Sequence, residues 1–261
     1  MTEKIKLFVG TPCYKWPPHP MFQKSVNELM ADPRFDVEFR AVIGDALIER
    51  ARTSMLAEYL EYKKPWDWFL QVDWDIEFRA EDIYRMCMRY PKYKVMGGPY
   101  TFKTSEAGKK QNIVFRVKPG ISGPNEEHML PSNYLGGGFT LTHDSVIRDL
   151  VEKCDDVRIR ENPDMHDPPR IAYDLWQSVL IDRPDWGFVS EGKPHRELLS
   201  EDYAYCERIL RAGHEIWMDL SVLLGHWNGE ECYRLPITGP DGQPPSDKPP
   251  EMPQIQTLAT L

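Results

Sequence analysis

The sequence predicts an α/β domain with a mostly parallel central sheet, helices on its faces and an antiparallel hairpin region added in the second half. Three observations carry this. Apolar runs alternate with segments of helical periodicity over the first hundred residues. The run Trp68-Phe69-Leu70-Gln71-Val72 is apolar except for Gln71, as in strands covered on both faces. That run ends in Asp73-Trp74-Asp75, which puts two carboxylates at the carboxyl edge of the sheet, where such sheets bind ligands.

The elements follow in order. Residues 5–9 read as a short strand closed by Gly10-Thr11-Pro12, and a Pro-rich loop follows at 16–20. Residues 21–30 read as a helix, with Phe22, Val26, Leu29 and Met30 on one side. Residues 37–43 are a second strand. Ile48, Ala51, Met55, Tyr59 and Tyr62 recur at helical spacing across 47–62. After the 68–72 strand come a helix at 81–89 and a short strand at 94–96. The second half is less regular: a hairpin strand at 112–117, a helix at 145–153, a polar loop at 162–170, a helix at 201–212 and a broken strand at 216–224. Residues 1–235 are expected to form one domain, with a nucleotide-binding half at about 1–100 and an acceptor-binding half at about 101–235. Prolines recur through 236–261, which is expected to be a tail without regular structure.

The chain has 261 residues and a net charge of −9, from 32 basic and 41 acidic side chains. That balance supplies no general field for nucleic acid or anionic lipid. The only basic run to set against it is Lys103, Lys109, Lys110, Arg116 and Lys118. The five cysteines are scattered and lack zinc-type spacing, so reduced thiols and a cytoplasmic location are expected. No apolar run is long enough to span a bilayer, so no integral membrane segment is expected.

Four signals carry chemistry. Asp73 and Asp75 are oxygen ligands of the kind that suit Mg²⁺ or Mn²⁺. Gly136-Gly137-Gly138, between Leu135 and Phe139, allows close backbone approach. Ser200-Glu201-Asp202 opens a helix and can hold a carboxylate beside a substrate. His226 follows an apolar run and Gly225 and could supply a ligand nitrogen. By itself each has an ordinary structural reading: a turn, a bulge, a helix cap, a satisfied histidine.

In this order the four resemble the hallmarks of the GT-A glycosyltransferases, which are nucleotide-sugar-dependent enzymes on a Rossmann-like sheet, and the family-2 members in particular. The segments 49–54, 97–103, 203–208 and 212–217 are similar to further family stretches, with Thr53 where the family usually has Asn. The resemblance covers roughly residues 4–229. It implies a metal-dependent transfer of a sugar from a nucleotide-diphosphate sugar to an acceptor hydroxyl, with inversion as the expected outcome. Thr11 and Pro12 would touch base or ribose, Asp45 the nucleoside and Arg52 the diphosphate. Asp73 would bind ribose, or the metal through water. Asp75 and His226 would ligate Mn²⁺ or Mg²⁺. Gly137 and Gly138 would lie under the donor sugar, and Lys103 would join the donor-binding set. Asp202 would be the general base and Glu201 would orient hydroxyls.

Among the tryptophans, Trp176, Trp186 and Trp227 are candidates for stacking on an acceptor, with Trp186 favoured by its turn-rich setting. The acceptor class stays open between glycan, protein, small glycoside and modified nucleic-acid base. Two other readings stand beside the first: a sugar-phosphate nucleotidyltransferase, and a non-catalytic glycan- or nucleotide-binding module on the same fold.

Overall fold

The computed structural model describes residues 3–62, 64–101, 103, 115–160, 170–188 and 192–234. The chain begins with β1 (Ile5–Cys13), α1 (Pro20–Ala31), β2 (Phe35–Ile43), α2 (Ile48–Glu61), β3 (Trp68–Val72), β4 (Ile76–Glu77), α3 (Ala80–Cys87) and β5 (Val95–Gly97). It continues with β6 (Phe115–Val117), β7 (Met129–Leu135), β8 (Phe139–His143), α4 (Asp144–Lys153), β9 (Arg158–Arg160), β10 (Ile171–Tyr173), β11 (Val179–Phe188) and β12 (Pro194–Leu199). The last described elements are α5 (Glu201–Arg211), β13 (Ile216–Asp219), β14 (Gly225–Asn228) and β15 (Glu231–Tyr233). The Pro-rich tail lies outside the described residues, as do most of the 162–170 loop and Lys109 and Lys110.

Eight strands form the central sheet in the order β2-β1-β3-β8-β5-β13-β7-β6. Their pairings run β7 and β8 against the direction shared by the other six. The sheet is therefore mostly parallel, as expected. Alternation along the strands sends side chains to two cores. Phe8 and Phe69 pack with α2, α4 and α5 through Met55, Tyr59, Leu150 and Ile209. Leu7, Val9, Trp68, Leu70 and Val72 pack on the other face with α1 and α3 through Phe22, Val26, Ile83 and Met86. All five residues of β3 are buried, which is why this run is apolar at every position but Gln71.

Helix ends follow ordinary rules. Pro20 opens α1 in its first turn, behind a His19 ring that accepts from Met21 N–H at 3.3 Å. In α5, Glu201 and Asp202 sit in the first turn, with Arg208 and Arg211 in the last, matching the helix dipole.

Antiparallel additions surround the sheet: β9 with β10, β11 with β12, and the three-stranded group β15-β14-β4. The last one matters most for the site. Register pairs Gly225 with Glu77 and His226 with Ile76, so the late histidine lies directly beside the strand that follows Asp75. His226 thus belongs to its own strand, not to the end of the preceding apolar run. Val222 and Leu224 of that run are core residues in the connection.

Candidate active site

Because β3 ends at Val72, Asp73 and Asp75 leave the sheet at its carboxyl edge. Asp73 is tied back by its N–H, which donates to Gly138 O at 3.0 Å. Its carboxylate accepts from Arg52 Nη2 at 3.4 Å, while Arg52 Nη1 donates to Glu201 at 3.2 Å. The Arg52 side chain, from α2, is only 3% exposed. One buried guanidinium therefore spans carboxylates from two segments far apart in sequence.

Burial pushes the Asp73 carboxyl up to about 6, with the Arg52 charge opposing the shift and the Asp75 and Glu201 charges adding to it. The side chain keeps 30% of its surface accessible, and that solvent limits how far the carboxyl can rise.

This has a stability consequence. Between the unfolded value near 3.8 and the folded value near 6, the native state holds a proton that the unfolded chain has lost. Stability contributed at this position falls as pH rises through that window. Asparagine never ionises, so Asp73→Asn should melt roughly 2–4 °C above wild type at pH 7.5, for about 1 kcal/mol. The gap should close toward pH 4 in calorimetric scans. A variant no more stable than wild type at pH 7.5 would mean that Arg52 fully compensates the burial of the charge.

Asp75 faces a different group. Its carboxylate forms an ion pair with Lys103 Nζ, and its Oδ1 lies 3.7 Å from His226 Nε2. His226 Nδ1 is 2.6 Å from Thr101 O, so this nitrogen carries the proton and donates it. Burial lowers the histidine pKa, with the Thr101 hydrogen bond and the Asp75 charge working against that shift. The neutral ring then presents the Nε2 lone pair to a carboxylate oxygen, two acceptors facing each other at a separation a cation can bridge. A carbonyl on the far nitrogen is also what orients metal-bound histidines. The donor set fits a hard divalent cation that takes its remaining ligands from a substrate. Among the described residues, no group of three or more His, Cys, Asp or Glu side chains converges as a metal cage. Asp73 turns to Arg52 instead of joining the Asp75–His226 pair.

The glycine segment links β7 to β8. A Cβ on Gly137 would lie 2.5–2.7 Å from the Arg52 guanidinium, and one on Gly138 would lie 2.8 Å from the Tyr100 ring. A side chain at either position would displace the Arg52 guanidinium or the Tyr100 ring. Gly137 N–H donates to Asp202 Oδ2 at 3.3 Å, and Gly138 N–H donates to the Tyr100 hydroxyl at 2.9 Å. Gln71 Nε2 donates to Gly137 O at 2.6 Å. Asp202 also accepts from Ser200 Oγ at 2.5 Å and from Tyr203 N–H at 2.8 Å, both on Oδ1. The Ser200 hydroxyl thus serves Asp202, and the helix N–H groups receive no bond from it.

The expected residues therefore divide. Arg52, Asp73, Gly137, Gly138, Glu201 and Asp202 form one connected network. Asp75, Lys103 and His226 form a second, joined to the first through Asp73-Trp74-Asp75 and Tyr100-Thr101. Thr11 and Pro12 lie buried near the end of β1, and the Thr11 hydroxyl has no hydrogen-bond partner among the described residues. Asp45 is engaged by Arg50 at 2.6 and 2.7 Å and by Leu47 N–H, away from both networks. Trp176 is fully buried and stacks on Tyr205, which makes it a core residue and no acceptor platform. Trp227 stacks on His19 and donates to Glu77 at 2.9 Å. The Trp186 side chain lies outside the described residues. Tyr100 and Thr101 lie in the 97–103 stretch without an expected role, and Gln71 has none either. The lone polar residue in an apolar strand was the available signal for Gln71.

No protein-family model and no curated protein matches the sequence. Solved structures do resemble the fold. A197 from STIV is 16% identical over 92% of each chain, with a TM-score of 0.52. TarS residues 1–349 from S. aureus, solved in complex with UDP-GlcNAc, is 10% identical over 88% of this chain and 58% of that one, with a TM-score of 0.41. A nucleoside-diphosphate-sugar pyrophosphorylase from Vibrio cholerae RC9 is 11% identical over 82% of this chain and 91% of that one, with a TM-score of 0.36. At these identities the likeness is one of fold. Among the described residues, no helix is long and apolar enough to cross a membrane.

Proposed function

We propose that this protein is a GT-A glycosyltransferase of the family-2 type that moves a sugar from a nucleotide-diphosphate sugar to an acceptor hydroxyl with inversion. The observation that carries the reading is the His226 Nε2 lone pair held against Asp75 at the carboxyl edge of the sheet, beside a glycine segment bonded to Asp202. Asp75 and His226 would hold Mn²⁺ or Mg²⁺, which when bound supplies Lewis-acid neutralisation of the departing nucleoside diphosphate. The chain's own residues do the rest. Arg52 holds Asp73 and Glu201 in place and adds positive charge near the diphosphate. Gly137 and Gly138 let the donor sugar approach the backbone. Asp202 has lone pairs left on Oδ2 and takes the proton from the acceptor hydroxyl as it attacks the anomeric carbon.

The test is to incubate the protein with Mn²⁺ and a panel of nucleotide sugars and assay release of nucleoside diphosphate. Release of pyrophosphate from a nucleoside triphosphate and a sugar phosphate would favour the nucleotidyltransferase instead. Donor binding without turnover, across a broad acceptor panel, would favour a binding module. Asp75→Ala should abolish cation-dependent release. His226→Ala should weaken cation binding in the presence of nucleoside diphosphate by roughly 10–100-fold or more. Losing the Thr101 bond should cost the apo protein only about 1 kcal/mol. An apo variant that melts far below wild type and still binds Mn²⁺ normally would make His226 a structural residue.

A further inference from the structure

Lys103 engages the carboxylate that the proposed chemistry assigns to a metal. Its ammonium pairs with Oδ2 of the Asp75 carboxylate, whose Oδ1 faces the free lone pair of His226. The pairing is not a surface accident. Asp75 is buried, and the short segment carrying Lys103 also fixes the rest of the site. Tyr100 packs edge-on to His226 at 5.3 Å and accepts from Gly138, and Thr101 sets the His226 tautomer.

A divalent cation that enters while the ammonium stays meets like charge on the same carboxylate, and that repulsion opposes its binding. Nor would a buried Asp75 tolerate standing without any cation. The two therefore exchange. The displaced ammonium, on a flexible four-carbon stem, would remain within reach of a diphosphate bound to the incoming metal.

We infer that Lys103 is an exchangeable internal counter-ion: it holds Asp75 in the empty protein and passes to the diphosphate when the cation enters. This rests on the Asp75–His226 cation site proposed above. It makes metal and diphosphate binding mutually dependent, since each removes an obstacle to the other, and such coupling is reciprocal. Metal alone should bind weakly. Metal and diphosphate together should bind well.

The experiment uses Lys103→Met, which keeps the stem and removes the charge, with Lys103→Arg as a second variant. Mn²⁺ alone is titrated against each protein and followed by the electron paramagnetic resonance of free Mn²⁺. Mn²⁺–pyrophosphate, a diphosphate without a base, is titrated by calorimetry. Lys103→Met should bind Mn²⁺ alone roughly tenfold tighter than wild type and Mn²⁺–pyrophosphate roughly tenfold more weakly. Lys103→Arg should keep the wild-type order of affinities. A plain structural ion pair would move neither titration in these opposite directions. Unchanged affinities in Lys103→Met, or a shift of both in one sense, overturn the inference. Nucleoside diphosphate release in the donor panel is read separately. Opposed shifts without any turnover would keep the counter-ion role and remove the glycosyltransferase reading. Turnover in wild type without the shifts would do the reverse.

Discussion

Replacing Arg52 with methionine should destabilise this protein more than any other single change at the site. The arginine side chain is buried, and its two terminal nitrogens face Asp73 at 3.4 Å and Glu201 at 3.2 Å. Methionine keeps similar bulk and helix propensity, so the change removes charge and leaves the volume of α2 nearly intact. What remains is two carboxylates close together, with Asp75 nearby and no guanidinium between them. Removing one partner of a fully buried ion pair costs about 3–5 kcal/mol, and the solvent that still reaches the two carboxylates puts this change at the lower end of that range. In a chain of this size that lowers Tm on the order of 10 °C. The loss should shrink in acid, because Asp73, whose carboxyl is already raised in the folded chain, can then be neutralised by a proton that the unfolded chain binds less readily. Arg52→Lys should restore only part of the stability, since a compact ammonium lacks the planar fork whose two separate nitrogens face the two acceptors. Thermal melts at pH 7.5 and pH 5 decide the matter. A Tm within about 2 °C of wild type at pH 7.5 would show solvent screening the carboxylates and would remove Arg52 as the electrostatic link.

The parts of this architecture written in local pattern were legible from the sequence. β3 runs over Trp68–Val72 as its apolar composition required, and α1, α2, α4 and α5 fall within a residue or two of their periodic stretches. β1 is longer than its apolar run, because pairing with β2 continues through Thr11↔Ala41 to Cys13↔Ile43. β7 and β8 were hidden behind the three glycines, whose turn chemistry drew attention from the strands they join. The pairs β9–β10 and β11–β12 have too little alternation to announce themselves.

At the site, residue types were legible and partnerships were not. The Asp73–Arg52, Asp75–Lys103 and His226–Thr101 contacts join residues 21, 28 and 125 positions apart. No local pattern encodes such pairs. They follow from sheet order, which brings β14 beside β4 and α5 against the glycine segment. The Lys103 ion pair is the clearest case. A lysine in a loop reads as a solvated charge or a phosphate contact, and only the fold turns it toward a carboxylate.

Asp202→Asn should lower turnover by about 10²–10⁴-fold, the usual contribution of a general base. The carboxylate is fixed from both sides, by Gly137 N–H on Oδ2 and by Ser200 Oγ and Tyr203 N–H on Oδ1. These bonds set its direction, and the first ties it to the segment beneath the proposed donor sugar. Asparagine can accept through only one of its two terminal atoms. One of the two backbone N–H groups then loses its acceptor, a cost of about 1 kcal/mol that a thermal melt will show as a small shift. Donor affinity should change little, because the function lost under the proposed mechanism is proton uptake from the acceptor. The stereochemistry provides an independent check. One carboxylate held at a helix N-terminus, with Glu201 committed to Arg52, suits a single direct displacement and leaves no second free carboxylate in that network to form a covalent intermediate. The product should therefore carry the anomeric configuration opposite to the donor, read by NMR once an acceptor is in hand. Retained configuration, or an Asp202→Asn variant with near wild-type turnover, would reduce Asp202 to a residue that positions the glycine segment.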